Sequence, residues 1–348
     1  MSARSTQVRL AARPVGEPRD EDFEIAEADL PEPEEGQVVL RTIWLSLDPY
    51  MRGRMSDAKS YAAPLEVGDV VVGGTVCEVV ASRSEARSVG DVVLAYTGWQ
   101  THAVVPARRT RLLDPAAAAP STALGVLGMP GFTAYAGLLE IGRPQPGETV
   151  VVAAAAGPVG SAVGQVARIR GARAVGIAGG REKCRVLTEE YGFDAAVDHR
   201  AEDFRDRLTE ATPDGVDVYF ENVGGPVGAA VVRRLNQFAR VPVCGLVADY
   251  NATEAPEGPD RLPGFMRRVL TLSLTVRGFI QDEFVPTHHE AFQREMGSWV
   301  REGRVRHREH VTEGLENAPA AFRDLLAGRS LGKALVRVGP DPDTGAGD

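Results

Sequence analysis

A glycine-rich turn followed by a pair of cations carries the clearest chemical signal in the chain. Residues Thr149–Gly164, TVVVAAAAGPVGSAVG, run an apolar segment into Ala155-x-Gly157-x-x-Gly160, with Gly164 one helical turn later. Glycines here let the backbone of Ala156, Gly157, Pro158, Val159 and Gly160 approach a pyrophosphate, while the following helix offers amides and the positive end of its dipole. A strand-to-helix turn that binds nothing can carry the same glycines. The dinucleotide reading is favoured because the motif lies between a strand and a helix, at the head of a run of such units.

The second strand of that run, Ala174–Ala178, ends without the acidic residue that an NAD site sets on the ribose hydroxyl. It continues Gly179-Gly180-Arg181-Glu182-Lys183. Cations at a helix start oppose the dipole unless an anion compensates them. Arg181 and Lys183 therefore point to a 2′-phosphate, and so to NADPH over NADH; the alternative is a solvated helix start. A third signal is Val216–Gly225, VDVYFENVGG, a strand ending in a polar turn at the carboxyl edge of the sheet. Asn222 there offers a donor and an acceptor to a ribose or nicotinamide, although Asn-x-Gly-Gly is also an ordinary turn.

Metal chemistry finds no ligand set. Cys77, Cys184 and Cys244 are scattered singly without a C-x-x-C pair, and each reads as a small buried apolar residue. The six histidines, His102, His199, His288, His289, His307 and His310, do not join a cysteine at ligand spacing, and most read as surface residues.

These groups need a scaffold, and the hydrophobic rhythm outlines it. From Val8 to about Pro120 short strands are broken by turns, as in GQVVLRTIWLSLD, VGDVVVGGTVCEVVAS and VGDVVLAYTGWQTHAVV. From Thr149 strands alternate with helical stretches, the pattern of a parallel sheet covered on both faces. TLSLTVRGFI after Leu270 is a further strand candidate, a helix is expected over much of Asp282–Glu302, and the last strand, ALVRV, is expected to return to the first module. The tail GPDPDTGAGD reads as disordered.

The 348 residues, 43% hydrophobic and 25% charged, suit two globular domains. A formal charge of −9 argues against a nucleic-acid partner. No signal-peptide core or membrane span stands out, so a cytoplasmic protein with no membrane partner is expected.

Seven collinear segments resemble one family: LSLDPYMRGRMSDAKSY, AAAAGPVGSAVGQVA, GIAGGREKC, DVYFENVGG, VPVCGLVADYN, REHVTEGLENAP and LGKALV. The chain resembles the zinc-free branch of the medium-chain dehydrogenase/reductases, which contains prostaglandin reductases, plant alkenal double-bond reductases and bacterial curcumin reductases. The resemblance implies an α/β protein with a GroES-like β-rich catalytic domain, residues 1–125 plus 312–348, and a doubly wound Rossmann domain, residues 126–311. It also implies NADPH in the cleft between them and a homodimer joined through Rossmann edge strands, for which TLSLTVRGFI is the candidate. By position it sets Gly157 and Gly160 at the pyrophosphate, Lys183 at the 2′-phosphate, and Asn222, Cys244, Gly245, Tyr250 and Phe279 along the cofactor.

The pattern departs in places. Pro158 stands where alanine is common and removes one possible phosphate donor, though proline suits a first helical turn. His199 aligns with a tyrosine that often holds the 2′-phosphate, and Ser330 with an asparagine near the nicotinamide. Thr271 aligns with a substrate-side tyrosine of the mammalian prostaglandin reductases, so prostaglandin specificity is not carried over. The cysteine and Gly-His-Glu motif that hold zinc in the branch's metal-dependent relatives are missing, so a metal-independent protein is expected.

Without a Lewis acid, reduction of an isolated ketone is disfavoured. The double bond of a small hydrophobic enone or alkenal asks less: hydride adds at the β carbon, charge moves to oxygen, and one positioned donor stabilises it. Tyr50 and Tyr61 are the candidate donors, since a phenol is neutral at pH 7; packing roles, or ribose hydroxyls as donors, are the alternatives. Arg52 and Arg54 read either as substrate-orienting or as solvated surface residues. A quinone reductase and a non-catalytic NADPH-binding protein are the rival functions.

Overall fold

The computed structural model describes residues 4–254 and 258–341. The chain divides into two compact units, one within Met1–Leu124 and Glu309–Asp348, the other within Gly125–Arg308. The expected disordered tail lies, from residue 342 onward, outside the described residues.

The first unit is organised around the long strand Gln37–Ser46. Its alternating pattern buries Val38, Leu40 and Leu45 while leaving Val39 and Arg41 half-exposed, as a pleated strand requires. One edge of this strand pairs antiparallel with Thr75–Ser82. The other edge is shared, His102–Pro106 taking Gln37–Arg41 and Lys333–Arg337 taking Trp44–Ser46. Glu309–Glu313 then adds parallel to Lys333–Arg337. The second unit therefore ends at Arg308 rather than at residue 311, because Glu309 already belongs to this ladder.

Underneath lies a core of Val8, Leu10, Leu45, Met51, Val71, Trp99, Phe322 and Val336. Trp99 stacks on Phe23 at 5.8 Å and meets the edge of Phe322 at 5.7 Å. Within this apolar setting Lys333 is almost fully buried, its Nζ donating at 2.7 Å to both the Leu47 carbonyl and Asp48 Oδ1. Asp48 Oδ2 accepts from Ser46 Oγ. Arg52 is also buried and donates to the carbonyls of Pro14 and Gly16, so it ties a loop down and is not a solvated residue.

The second unit is a six-stranded parallel sheet, ordered Ala195–Asp198, Arg173–Ala178, Thr149–Val152, Val216–Phe220, Leu235–Val243, Thr275–Gly278. This is the doubly wound order whose chain reversal falls beside the first strand. All four residues of Thr149–Val152 are buried, as a central parallel strand demands. The helix Val285–Arg301 falls within the expected span and seats Phe292 against Phe132 and Tyr135.

Two expectations are corrected. TLSLTVRGFI is a strand only over Thr275–Gly278, because the helix Leu262–Thr271 runs into its start and Ser273, at φ +51°, turns the chain between them. Of the cysteines, Cys77 is fully buried, but Cys184 and Cys244 are only partly buried. Among the described residues no helix is long and apolar enough to cross a membrane, and no group of three or more His, Cys, Asp or Glu could hold a metal ion.

Lys333→Met leaves the Asp48 carboxylate buried without its cation, so stability to urea is expected to fall by about 3–5 kcal/mol. Adding Asp48→Asn to the same chain removes the stranded charge and should restore most of the loss. A single variant as stable as the parent would contradict this account of the pair.

Candidate functional site

The glycine turn has two distinct jobs. The first strand stops at Val152 and Ala154 turns left-handed at φ +50°. Gly157 then caps the helix Pro158–Ile169 in an extended conformation, and Pro158 occupies the first helical position, where a missing N–H is tolerated. A Cβ at Gly157 would meet only the Ala154 carbonyl, at 3.3 Å, so this face is open for an anion to approach the amides. A Cβ at Gly160 would lie 2.5 Å from the Ala154 carbonyl oxygen and 2.7 Å from Ala155 Cα. Gly160 therefore lets the helix close on the strand. Ala156 is buried and Val159 half-buried at the same turn.

At the next strand end Gly179 and Gly180 lead into Arg181–Arg185. Arg181 is exposed and Lys183 half-buried. Burial and then the nearby Arg200 hold the Lys183 ammonium below its ordinary pKa. His199 lies at the end of the neighbouring strand, and its pKa is lowered by burial, then by Arg200, with Lys183 adding to the effect. The structure thus gathers Lys183 and His199 at one corner and adds Arg200, which the sequence does not single out, while Arg181 stands exposed at the start of the helix that carries Lys183. Such a cluster of cations disfavours its own charged state and suits an anion.

The other expected cofactor residues of this unit converge at the carboxyl ends of the later strands. Asn222 Nδ2 donates to the Ala153 carbonyl at 2.8 Å, and the Asn222 carbonyl accepts from Val247, so this residue joins two strand tips. It is held in turn by Glu221, buried, whose Oε1 accepts from the amides of Val223 and Gly224. Cys244, Gly245, Tyr250 and Phe279 line one pocket of about 550 Å³ together with Leu246, Ile280 and Glu283. The Tyr250 hydroxyl lies 3.3 Å from where a Gly245 Cβ would be. Burial and the nearby Glu221 push the Cys244 thiol up to about 12, so it stays protonated. The Phe279 ring itself packs inward, against Phe220, Phe284 and the bare Cα of Gly137.

In the first unit, the short helix Tyr50–Arg54 follows Asp48 and Pro49 directly. Tyr50 is half-buried, and desolvation, then the charge of Asp48, holds its phenol well above the usual tyrosine range. Tyr61 is 63% exposed and Tyr96 67% exposed, and both lie near enough to influence Tyr50 electrostatically. Tyr96, in a loop remote in sequence, was not anticipated. Arg54 Nε donates to the Ala63 carbonyl at 2.6 Å, which anchors the loop carrying Tyr61. Ser330 is half-exposed, three residues before Lys333.

With this geometry in hand, comparison with known proteins gives a consistent answer. Residues 6–113 match the family model described as N-terminal domain of oxidoreductase, and residues 158–294 the model described as zinc-binding dehydrogenase. The chain is 54% identical over 332 residues to the NADPH-dependent curcumin reductase of Escherichia coli, covering 95% of this chain and 96% of that protein. It is 39% identical over 328 residues to prostaglandin reductase 1 of Bos taurus, covering 93% and 96%. The crystal structure of CurA in complex with NADPH from Vibrio vulnificus superposes with a TM-score of 0.93 at 49% identity, over 97% of this chain and 100% of that one. Collinear likeness over nearly the whole length, carried on a six-stranded doubly wound sheet with a glycine cradle, makes this chain a member of the medium-chain dehydrogenase/reductase family, in its prostaglandin reductase and curcumin reductase branch.

Proposed function

We propose that this chain is an NADPH-dependent reductase, acting in the cytoplasm, that saturates the carbon–carbon double bond of α,β-unsaturated ketones or alkenals without a metal. The observation that carries the reading is the 54% identity, along nearly the full length, to an NADPH-dependent curcumin reductase. The residues present fit that cofactor: the open face at Gly157 accepts a pyrophosphate, the corner of Lys183 and His199, with Arg181 at the helix start, a 2′-phosphate, and the pocket of Cys244, Gly245 and Tyr250 an uncharged ring.

When bound, NADPH supplies a hydride. Tyr50 is the donor that meets the charge developing on the substrate oxygen. Its burial and the neighbouring Asp48 keep the phenol protonated, so it holds a hydrogen bond to the enolate oxygen without surrendering its proton, and the α carbon takes a proton from water to complete the reduction. Asp48, itself fixed by Lys333 and Ser46, sets the start of the helix that presents Tyr50. Tyr61, on a loop anchored by Arg54, is a second donor at the exposed side. An isolated carbonyl would need stronger activation than a phenol gives; a conjugated one delocalises the charge itself.

The protein acts as a homodimer in this reading. Thr275–Gly278 ends the sheet with all four residues exposed. Beside it the helix Leu262–Thr271 bares Leu262, Met266 and, at 80% exposed, Leu270 on one face. Phe238, exposed and left-handed at φ +64°, adds a strained apolar residue to the unit's surface. A second copy pairing at the same edge would cover an unprotected strand.

With deuterated NADPH, an enone should carry deuterium at the β carbon with its carbonyl intact; an allylic alcohol, or turnover of quinones alone, would overturn the reading. Tyr50→Phe should lower kcat roughly ten- to a thousandfold with cofactor affinity kept, and Tyr61→Phe should have the smaller effect; a Tyr50→Phe protein at full rate would remove Tyr50 from the chemistry. Replacing Lys183 by Ala should weaken NADPH roughly ten- to hundredfold while NADH binding barely changes. Equal affinity of the parent for both cofactors would exclude a 2′-phosphate site. Light scattering should give twice the chain mass, and Leu270→Glu should shift the protein to monomer; a parent monomeric at tens of micromolar would refute the dimer.

A further inference from the structure

In a doubly wound sheet of this order, the residue ending the second strand decides what stands beside the adenosine ribose. Here Arg173–Ala178 is followed by Gly179, and the volume its missing side chain leaves is occupied. A Cβ built on Gly179 would lie 2.8 Å from Arg200 Nε, 3.1 Å from Arg200 Cζ and 2.9 Å from His199 Nε2. Both basic side chains come from the end of the third strand, Ala195–Asp198, and cross over the glycine that ends the second.

Backbone conformation does not explain this glycine. Gly180, next along, is left-handed at φ +96°, whereas Gly179 is not among the positive-φ residues. What Gly179 supplies is room. Asp198 fixes the crossing, since its Oδ1 accepts from the Gly180 amide at 2.8 Å and the Arg200 amide at 2.9 Å, locking the two strand ends together. Arg200 forms no ion pair among the described residues. Its guanidinium lies near enough to Lys183 and His199 to lower the pKa of both, with the Asp198 carboxylate offsetting only part of this positive charge, an arrangement that suits an anion.

Resting on the NADPH reading above, we infer that Arg200 is a specificity-determining ligand of the cofactor's 2′-phosphate, reaching it across Gly179, and that position 179 is glycine so that this arginine can pass. The planar guanidinium offers paired donors to phosphate oxygens, which a lysine would not reproduce. Asp198 is then a positioning residue, acting through the backbone of Arg200.

The test is fluorescence titration of the full chain with NADPH and with NADH. Arg200→Gln should raise the NADPH Kd ten- to hundredfold and leave the NADH Kd within a factor of about two, with Arg200→Lys recovering part of the loss. Gly179→Ala removes no charge, yet should weaken NADPH several-fold by pushing the arginine aside. In the Arg200→Gln background the same alanine should have little further effect, because both changes act on one contact. If Lys183→Ala weakens NADPH tenfold or more while Arg200→Gln changes it less than threefold, the inference is wrong and the phosphate corner stands. If neither variant alters the preference for NADPH over NADH, both fail together.

Discussion

The first unit hangs on one buried ion pair. Lys333 and Asp48 are separated by almost the whole chain, and both are withdrawn from water. Desolvating two charges costs several kcal/mol each, and well-packed apolar residues of the same volume would often do as well for stability alone. What an apolar pair could not do is fix direction. Lys333 donates to a carbonyl and a carboxylate at once, and Ser46 takes the second carboxylate oxygen. The strand that returns last is thereby pinned to the residues immediately before Tyr50, and burial, with the carboxylate's charge second, keeps that phenol in its protonated form.

In the second unit the governing constraint is distance between backbones. Gly157, Gly160 and Gly179 look alike in a sequence and do different things. The first leaves amides uncovered, the second permits a helix to approach a strand within ordinary Cβ radii, and the third yields space to side chains from a neighbouring strand. Gly164 and Gly176 are nearer the third kind, since both leave room for a side chain, the ring of Phe193. The cost of a cofactor-binding surface here is therefore paid in missing side chains along the first two strands, while the charges that read the cofactor come from further along the chain.

That division explains what could be read in advance. The glycine turn, Arg181, Lys183 and Asn222 are local to a strand end, and a strand end can be seen in hydrophobic pattern and turn residues. Arg200 and Asp198 could not be found that way, because their place depends on the third strand lying beside the second, a fact of sheet order and not of spacing. Tyr96 comes within electrostatic reach of Tyr50 only through the folded sheet of the first unit. The run TLSLTVRGFI reads as a longer strand than it forms, because its apolar and β-branched residues do not show that Thr271 closes the helix from Leu262 or that Ser273 turns left-handed before the strand Thr275–Gly278. Arg52 escaped because nothing in a sequence distinguishes an arginine that holds two carbonyls from one that faces water.

The shared edge of the strand Gln37–Ser46 also sets an order of events during synthesis. Residues Gly125–Arg308 have all left the ribosome while Trp44–Ser46 still lack the partner strand Lys333–Arg337. Until that strand emerges, the half of the molecule made first keeps an open ladder and an aspartate that still lacks the lysine it is buried with, whereas the half made second has every strand it needs. The later-made unit is the one able to fold first, and the nascent chain carries an unfinished amino-terminal half through most of its translation, exposed to the hazards of unpaired edges.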